Sequence, residues 1–126
     1  MKTKSYKITF CLESGYSGTG KKYSVDDAKA LIEKWMKQRI IDNLPTVNGV
    51  ALFGTLFFPA KDRRIDGKTV TVADTGVYLG DIRYDDNSEI DNDEIKDTLS
   101  SLALFLKEGL GQDRVYILYD AKSWYL

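Results

Sequence analysis

The chain has no histidine and one cysteine, Cys11, among 126 residues. The first absence excludes histidine-based triads, histidine-ligated zinc or haem, and imidazole acid–base work. The second excludes an internal disulfide, and any zinc or iron–sulfur centre built only from cysteines of one chain. Long apolar runs are missing too. No stretch approaches the roughly 18 apolar residues of a spanning helix, and Met1-Lys2-Thr3-Lys4 leads into an alternating segment rather than a leader peptide. Charge of one sign is not in excess. Eighteen Lys and Arg stand against 19 Asp and Glu, a net charge of −1, so no basic field favours nucleic acid or an anionic membrane. The expectation is a cytoplasmic protein without a cofactor or a metal, whose acid–base chemistry, if any, falls to Asp, Glu, Lys or Tyr.

Apolar residues supply 43% of the chain, enough for a core, and the length suits one domain over residues 1–126. Tyr6, Ile8, Phe10 and Leu12 alternate with Lys7, Thr9, Cys11 and Glu13, the signature of a half-buried strand. Ser24 precedes Val25-Asp26-Asp27 as a helix N-cap, and Ala28, Leu31, Ile32 and Trp35 recur at helical spacing until Pro45 forces a stop. Val47–Phe58 reads as strand, bounded by Asn48-Gly49 and Pro59. Asp66-Gly67 is a hairpin turn, Gly54 marks a bulge or a close backbone approach, and Thr75-Gly76 is a second interruption before strand character resumes to Tyr84, which together read as a long, bulged hairpin. Asp91 and Glu94 have capping-box spacing ahead of a second helical face, Ile95, Leu99, Leu102, Ala103 and Leu106, closed by Gly109. Val115–Tyr119 is the last strand, followed by an aromatic tail.

The order β-α-β-β-α-β predicts an α+β chain of ferredoxin-like type, a two-layer sandwich in which the second and third strands form a long, bulged hairpin. Both helices would cover one side of the sheet, with Lys7, Thr9 and Cys11 on the bare side. The facing of Tyr78, Tyr84, Tyr116 and Tyr119 depends on a strand register that the sequence leaves open.

Four features are candidates for function. Gly15, Ser17, Gly18, Thr19, Gly20, Lys21 and Lys22 form a Gly-rich loop that spells most of a phosphate-cradling P-loop. Lys22 stands where Ser or Thr would hold magnesium, and the helix cap lies beyond the Gly-Lys pair, so the loop suits anion contact rather than a true P-loop. Lys7 and Thr9, on the bare sheet face, are candidates for a ligand or a second copy. The acidic stretch containing Asp85, Asp86, Glu89, Asp91 and Asp93, with the tail residues Trp124 and Tyr125, is a candidate partner surface. A basic hairpin tip of Lys61, Arg63, Arg64 and Lys68 is weaker, being interrupted by acids. Cys11 lacks a nearby base, because Lys7 lies about 13 Å away along an extended strand, so a structural thiol is the expectation.

With no catalytic constellation evident, the main expectation is a non-enzymatic binding or interaction protein working as a homodimer or higher oligomer. One alternative is a small-molecule or nucleotide (anion) binder using the Gly15–Lys22 loop. The other is a cofactor-free enzyme of the dimeric α+β-barrel kind. Nucleic acid and membrane are not expected as partners, whereas another protein or a small anionic ligand is.

Overall fold

The computed structural model describes residues 2–13, 20–59, 70–85, 90–120 and 122–126. The elements run β1 (Lys2–Cys11), α1 (Val25–Ile41), β2 (Val50–Pro59), β3 (Val70–Tyr84), α2 (Asn92–Gly109), β4 (Tyr116–Tyr119) and β5 (Lys122–Tyr125). The strands form one antiparallel sheet in the order β2-β3-β1-β4-β5. The first four strands have the expected ferredoxin-like arrangement, with β1 and β3 central and two helices completing a two-layer α+β sandwich.

Alternation along β1 decides which side is the core. Tyr6, Ile8 and Phe10 are buried on the helix side, where they meet Leu99, Leu102, Ala103 and Leu106 of α2 and Ala28, Ile32 and Trp35 of α1. Lys7 is exposed, and Thr9 and Cys11 are half-buried on the opposite side. Register carries this facing across the sheet. Ile8 lies opposite Tyr78 on β3 and Ile117 on β4, so these two also face the helices. Tyr119, paired with Tyr6, is buried on that side as well, whereas Tyr116, paired with Thr9, is turned outward.

Both helices begin with caps legible in the sequence. The Ser24 hydroxyl accepts the Asp27 N–H and the Asp27 carboxylate accepts the Ser24 N–H, a reciprocal capping box. This pairing holds the Asp27 carboxyl below its ordinary range, with Lys21 adding a smaller effect. At α2, the Asp91 side chain accepts the Glu94 N–H.

Two features differ from expectation. The β2–β3 ladder runs unbroken from Val50↔Leu79 to Pro59↔Val70, without a bulge at Gly54 or Gly76. Gly76 answers a different need: a Cβ there would lie 2.6 Å from the Phe10 ring and 2.9 Å from that of Phe53. The aromatic tail is the second. It forms a fifth strand on β4, and Val115 and Leu126 exchange backbone hydrogen bonds to extend the ladder. The Asp66-Gly67 turn and the basic tip with Lys61, Arg63, Arg64 and Lys68 lie outside the described residues.

Candidate active site

Pairing of β2 with β3 begins at Val50↔Leu79, but β3 continues beside β1 as far as Tyr84. Among the described residues, the edge of β3 beyond Leu79 therefore has no strand neighbour on its β2 side. A cavity of about 810 Å³ wraps around that edge. Its walls are the 45–50 segment, residues 79–83 of β3, and Glu94, Ile95 and Thr98 from the first turns of α2. This size falls within the range of small-molecule sites.

The 45–50 wall is held by two tyrosines from the core. Tyr78 donates its hydroxyl hydrogen bond to the Val47 carbonyl at 2.9 Å, and Tyr6 donates to the Asn48 carbonyl. Their rings lie 6.1 Å apart, tilted by 42°. Burial, the largest cause, pushes both phenols above the ordinary tyrosine range, so both stay protonated and able to donate. The wall can lie this close only because Gly49 and Gly80 lack side chains. A Cβ at Gly49 would sit 2.5 Å from the Tyr6 hydroxyl, and one at Gly80 would sit 2.5 Å from the Asn48 carbonyl. Arg39 braces the same segment from α1, its Nε donating to the Pro45 carbonyl at 2.8 Å while its Nη2 lies 3.5 Å from the Thr98 hydroxyl.

Among the described residues, three charged ones line the cavity: Asp81 and Arg83 from β3, and Glu94 from α2. Asp81 is oriented by Ser5, whose hydroxyl donates to its carboxylate at 2.8 Å. The lining thus combines two hydrogen-bond-accepting carboxylates, a guanidinium, the hydroxyl-bearing Thr46 and Thr98, and an apolar floor of Val47, Ile82 and Ile95.

The candidates drawn from the sequence are spread elsewhere. Gly15, Ser17, Gly18 and Thr19 lie outside the described residues. Gly20 is half-buried and Lys21 is exposed, its Nζ 5.0 Å from the centroid of the Tyr23 ring. Lys22 bridges to Glu13 across the neck of the loop, two residues before the Ser24 cap. Lys7 lies between two shallow depressions of about 280 and 290 Å³ on the open face, and Thr9 lines the second.

Asp86 and Glu89 lie outside the described residues, while Asp85 and Asp93 are exposed and Asp91 is the cap of α2. Alternation in β5 divides the tail. Trp124 turns toward the helices, its Nε1 donating to Ser100 at 3.3 Å. Tyr125 turns to the open face beside Tyr116, under the Arg114 guanidinium. Burial, with Glu13 adding to it, pushes the Cys11 thiol upward and away from the thiolate that a nucleophile requires.

Tyr6, Tyr78, Asn48, Gly49, Arg83 and Thr98 escape a linear reading. Their one trace in the sequence is the pair of glycines, Gly49 and Gly80, each next to a polar residue, Asn48 and Asp81.

No family model matches the chain, and no curated protein matches it. Two solved structures share its fold. One is a phage SAM lyase in complex with S-methyl-5'-thioadenosine, at a TM-score of 0.65 and 12% identity, covering 98% of this chain and 88% of that one. The other is a phage SAM lyase in the apo state, at a TM-score of 0.58 and 14% identity, covering 98% and 87%. These neighbours correct the expectation of a non-enzymatic binding or interaction protein, because the structures that share this fold from end to end are of an enzyme. The absence of a histidine constellation, on which that expectation rested, does not exclude catalysis by this architecture.

Proposed function

We propose that the chain is a lyase that cleaves S-adenosylmethionine (SAM) to S-methyl-5'-thioadenosine, and that the cavity at the free edge of β3 is its active site. The observation that carries this reading is the end-to-end likeness to a SAM lyase in complex with that thioether, a fold-level analogy. The cavity adds weight, being large enough for an adenosyl ligand and lined by charged groups.

The chemistry suits the residues available. To leave the methyl and adenosyl groups on sulfur, the bond between sulfur and the aminobutyryl Cγ must break, its electron pair passing to sulfur and turning the sulfonium into a neutral thioether. The four-carbon fragment is completed in one of two ways. Its Cβ loses a proton to a carboxylate such as Glu94 or Asp81, or its own carboxylate attacks Cγ. Neither route calls for an imidazole.

The test is direct. Purified protein incubated with SAM is expected to release S-methyl-5'-thioadenosine faster than the uncatalysed background, and Arg83→Gln and Glu94→Gln are expected to slow that release. SAM decay at the background rate by folded protein would reject the reading. The carbon product separates the two routes: an unsaturated amino acid marks proton loss and a lactone marks internal attack.

The same proposal includes self-association in the cytoplasm. Its support is the outer half of the β2–β3 hairpin, which is apolar and uncovered on both faces. Phe57 and Val72, paired on the helix side, are 68% and 55% exposed, and Leu52, Leu56 and Phe58 are exposed on the other side. Such a ribbon exceeds the scattered apolar exposure of ordinary surfaces. A second copy is the occupant we infer, because β4 and β5 carry a matching exposed set, Tyr116, Leu118 and Tyr125, on the open face. Light scattering should give a multiple of the 14.3 kDa chain mass, reduced by Phe57→Lys with Val72→Lys; a monomer at micromolar concentration would reject self-association. Among the described residues no helix is long and apolar enough to cross a membrane.

A further inference from the structure

We infer that Asp81 and Glu94 act as counter-ions that make the cavity select a positively charged adenosyl ligand over its neutral thioether counterpart, with Arg83 holding the ligand's carboxylate. The inference rests on the reading of this cavity as a SAM site and adds to it the residues that discriminate substrate from product.

SAM carries two cations, the sulfonium and the ammonium, and one carboxylate. The charged side chains in the cavity lining are the reverse set, two carboxylates and one guanidinium. The placement is also divided in a useful way. Asp81 and Arg83 are two residues apart on one strand and share the open-face side of β3, whereas Glu94 reaches the cavity from α2 on the helix side. A ligand lying across the free β3 edge would meet a carboxylate on each side. Asp81 accepts the Ser5 hydroxyl at 2.8 Å from the β1 side, so one carboxylate oxygen is engaged there and the other is left for a ligand at the edge. The other cation nearby, Arg39, already donates to the Pro45 carbonyl and stacks over Trp35 with its guanidinium carbon 5.6 Å from the ring centroid. It braces the wall and leaves the two carboxylates to face the ligand.

Breaking the carbon–sulfur bond removes the sulfonium charge and separates the ammonium-bearing four-carbon fragment from the thioether, so the same lining that attracts the substrate holds the neutral thioether weakly. Charge selection would therefore couple the chemical step to product departure.

The test compares two ligands that differ at one position. Sinefungin carries an ammonium where SAM carries the sulfonium and cannot be cleaved there; S-adenosylhomocysteine carries an uncharged sulfur. Titration calorimetry is expected to show sinefungin binding about tenfold more tightly than S-adenosylhomocysteine, a gap that suits partly screened carboxylates. In the Asp81→Asn, Glu94→Gln double variant the two affinities should converge to within about twofold. S-adenosylhomocysteine keeps the ammonium and should lose only the share of affinity owed to that group, less than sinefungin loses, while an unchanged thermal melt of the unliganded variant reports an intact fold. Equal affinities in the unaltered protein, or a preference that survives the double substitution, would overturn the inference while leaving the SAM reading in place. If neither ligand, nor S-methyl-5'-thioadenosine, binds the folded protein, the SAM reading itself falls.

Discussion

Tyr78 reaches from the centre of β3 to the Val47 carbonyl at 2.9 Å, tying a core strand to the wall of the cavity. Tyr6 repeats the arrangement one residue further on, at Asn48. The Tyr78 bond is buried, so removing its hydroxyl leaves a carbonyl without its partner. Tyr78→Phe is expected to cost about 1–2 kcal/mol, read from the urea midpoint. The Tyr6→Phe, Tyr78→Phe double variant should cost more and also weaken ligand binding, because the 45–50 segment loses both tyrosine anchors and is left with the Arg39 bond to Pro45. An unchanged midpoint in the double variant would show that the segment is held by other means.

Gly49 and Gly54 lie near each other in sequence but should respond oppositely to alanine. A Cβ at Gly49 meets the Tyr6 hydroxyl at 2.5 Å and the Tyr78 ring at 2.7 Å, whereas one at Gly54 meets nothing within 4 Å. Gly49→Ala must displace a buried ring or the wall itself and is expected to destabilise by about 1–3 kcal/mol. Gly54→Ala relieves chain entropy in an ordinary strand and is expected to stabilise by about 0.5–1 kcal/mol. Thermal melts of the two variants check both signs.

The contrast between these glycines also indicates what can be read from the sequence. Alternation of Tyr6, Ile8 and Phe10 with Lys7, Thr9 and Cys11 was enough to assign the two sides of β1, because side-chain direction in a strand has a strict period of two. The amphipathic face of α2 and the Ser24 cap were legible for similar local reasons. The cavity was not. Its walls come from residues 45–50, 79–83 and 94–98, which meet only because β2 pairs with β3 in the Val50↔Leu79 register. No local period encodes the register between strands separated in sequence. The Gly15–Lys22 segment drew attention for the opposite reason, because its pattern is entirely local. The fifth strand was missed because Lys122–Tyr125 offers four residues of alternation, too few to distinguish a strand from a tail.

Tyrosine ionisation should be split between accessible and core rings. Burial raises the phenols of Tyr6, Tyr78 and Tyr119 above their ordinary value of 10.0. Tyr119 also donates to Asn92 at 2.7 Å. In the folded protein these groups keep their protons at pH values where the unfolded chain has released them. The stabilisation is therefore complete below about pH 10 and is lost as pH rises above it, toward the raised native values. Absorbance titration at 295 nm should show the phenolates of these three rings appearing only in one step with the loss of circular dichroism. Completion of the tyrosinate signal while the circular dichroism is still native would contradict the burial of these rings.

Trp124 gives the terminal strand a role that truncation can measure. Its ring lies on the helix side, with Nε1 donating to Ser100 at 3.3 Å, and its backbone pairs opposite Ile117. Removing residues 122–126 takes away this half-buried aromatic and the β4–β5 ladder, and leaves β4 as an uncovered edge. The shortened chain should melt at a lower temperature and aggregate more readily, since a bare edge offers unpaired backbone groups to other chains. Trp124→Ala alone keeps the strand and should cost about 2 kcal/mol through lost packing. Tyr125→Ala removes only an open-face ring, so it should alter self-association more than melting temperature. If instead Trp124→Ala left the melt unchanged and reduced the assembled mass, the indole would be serving a neighbouring subunit rather than its own α2.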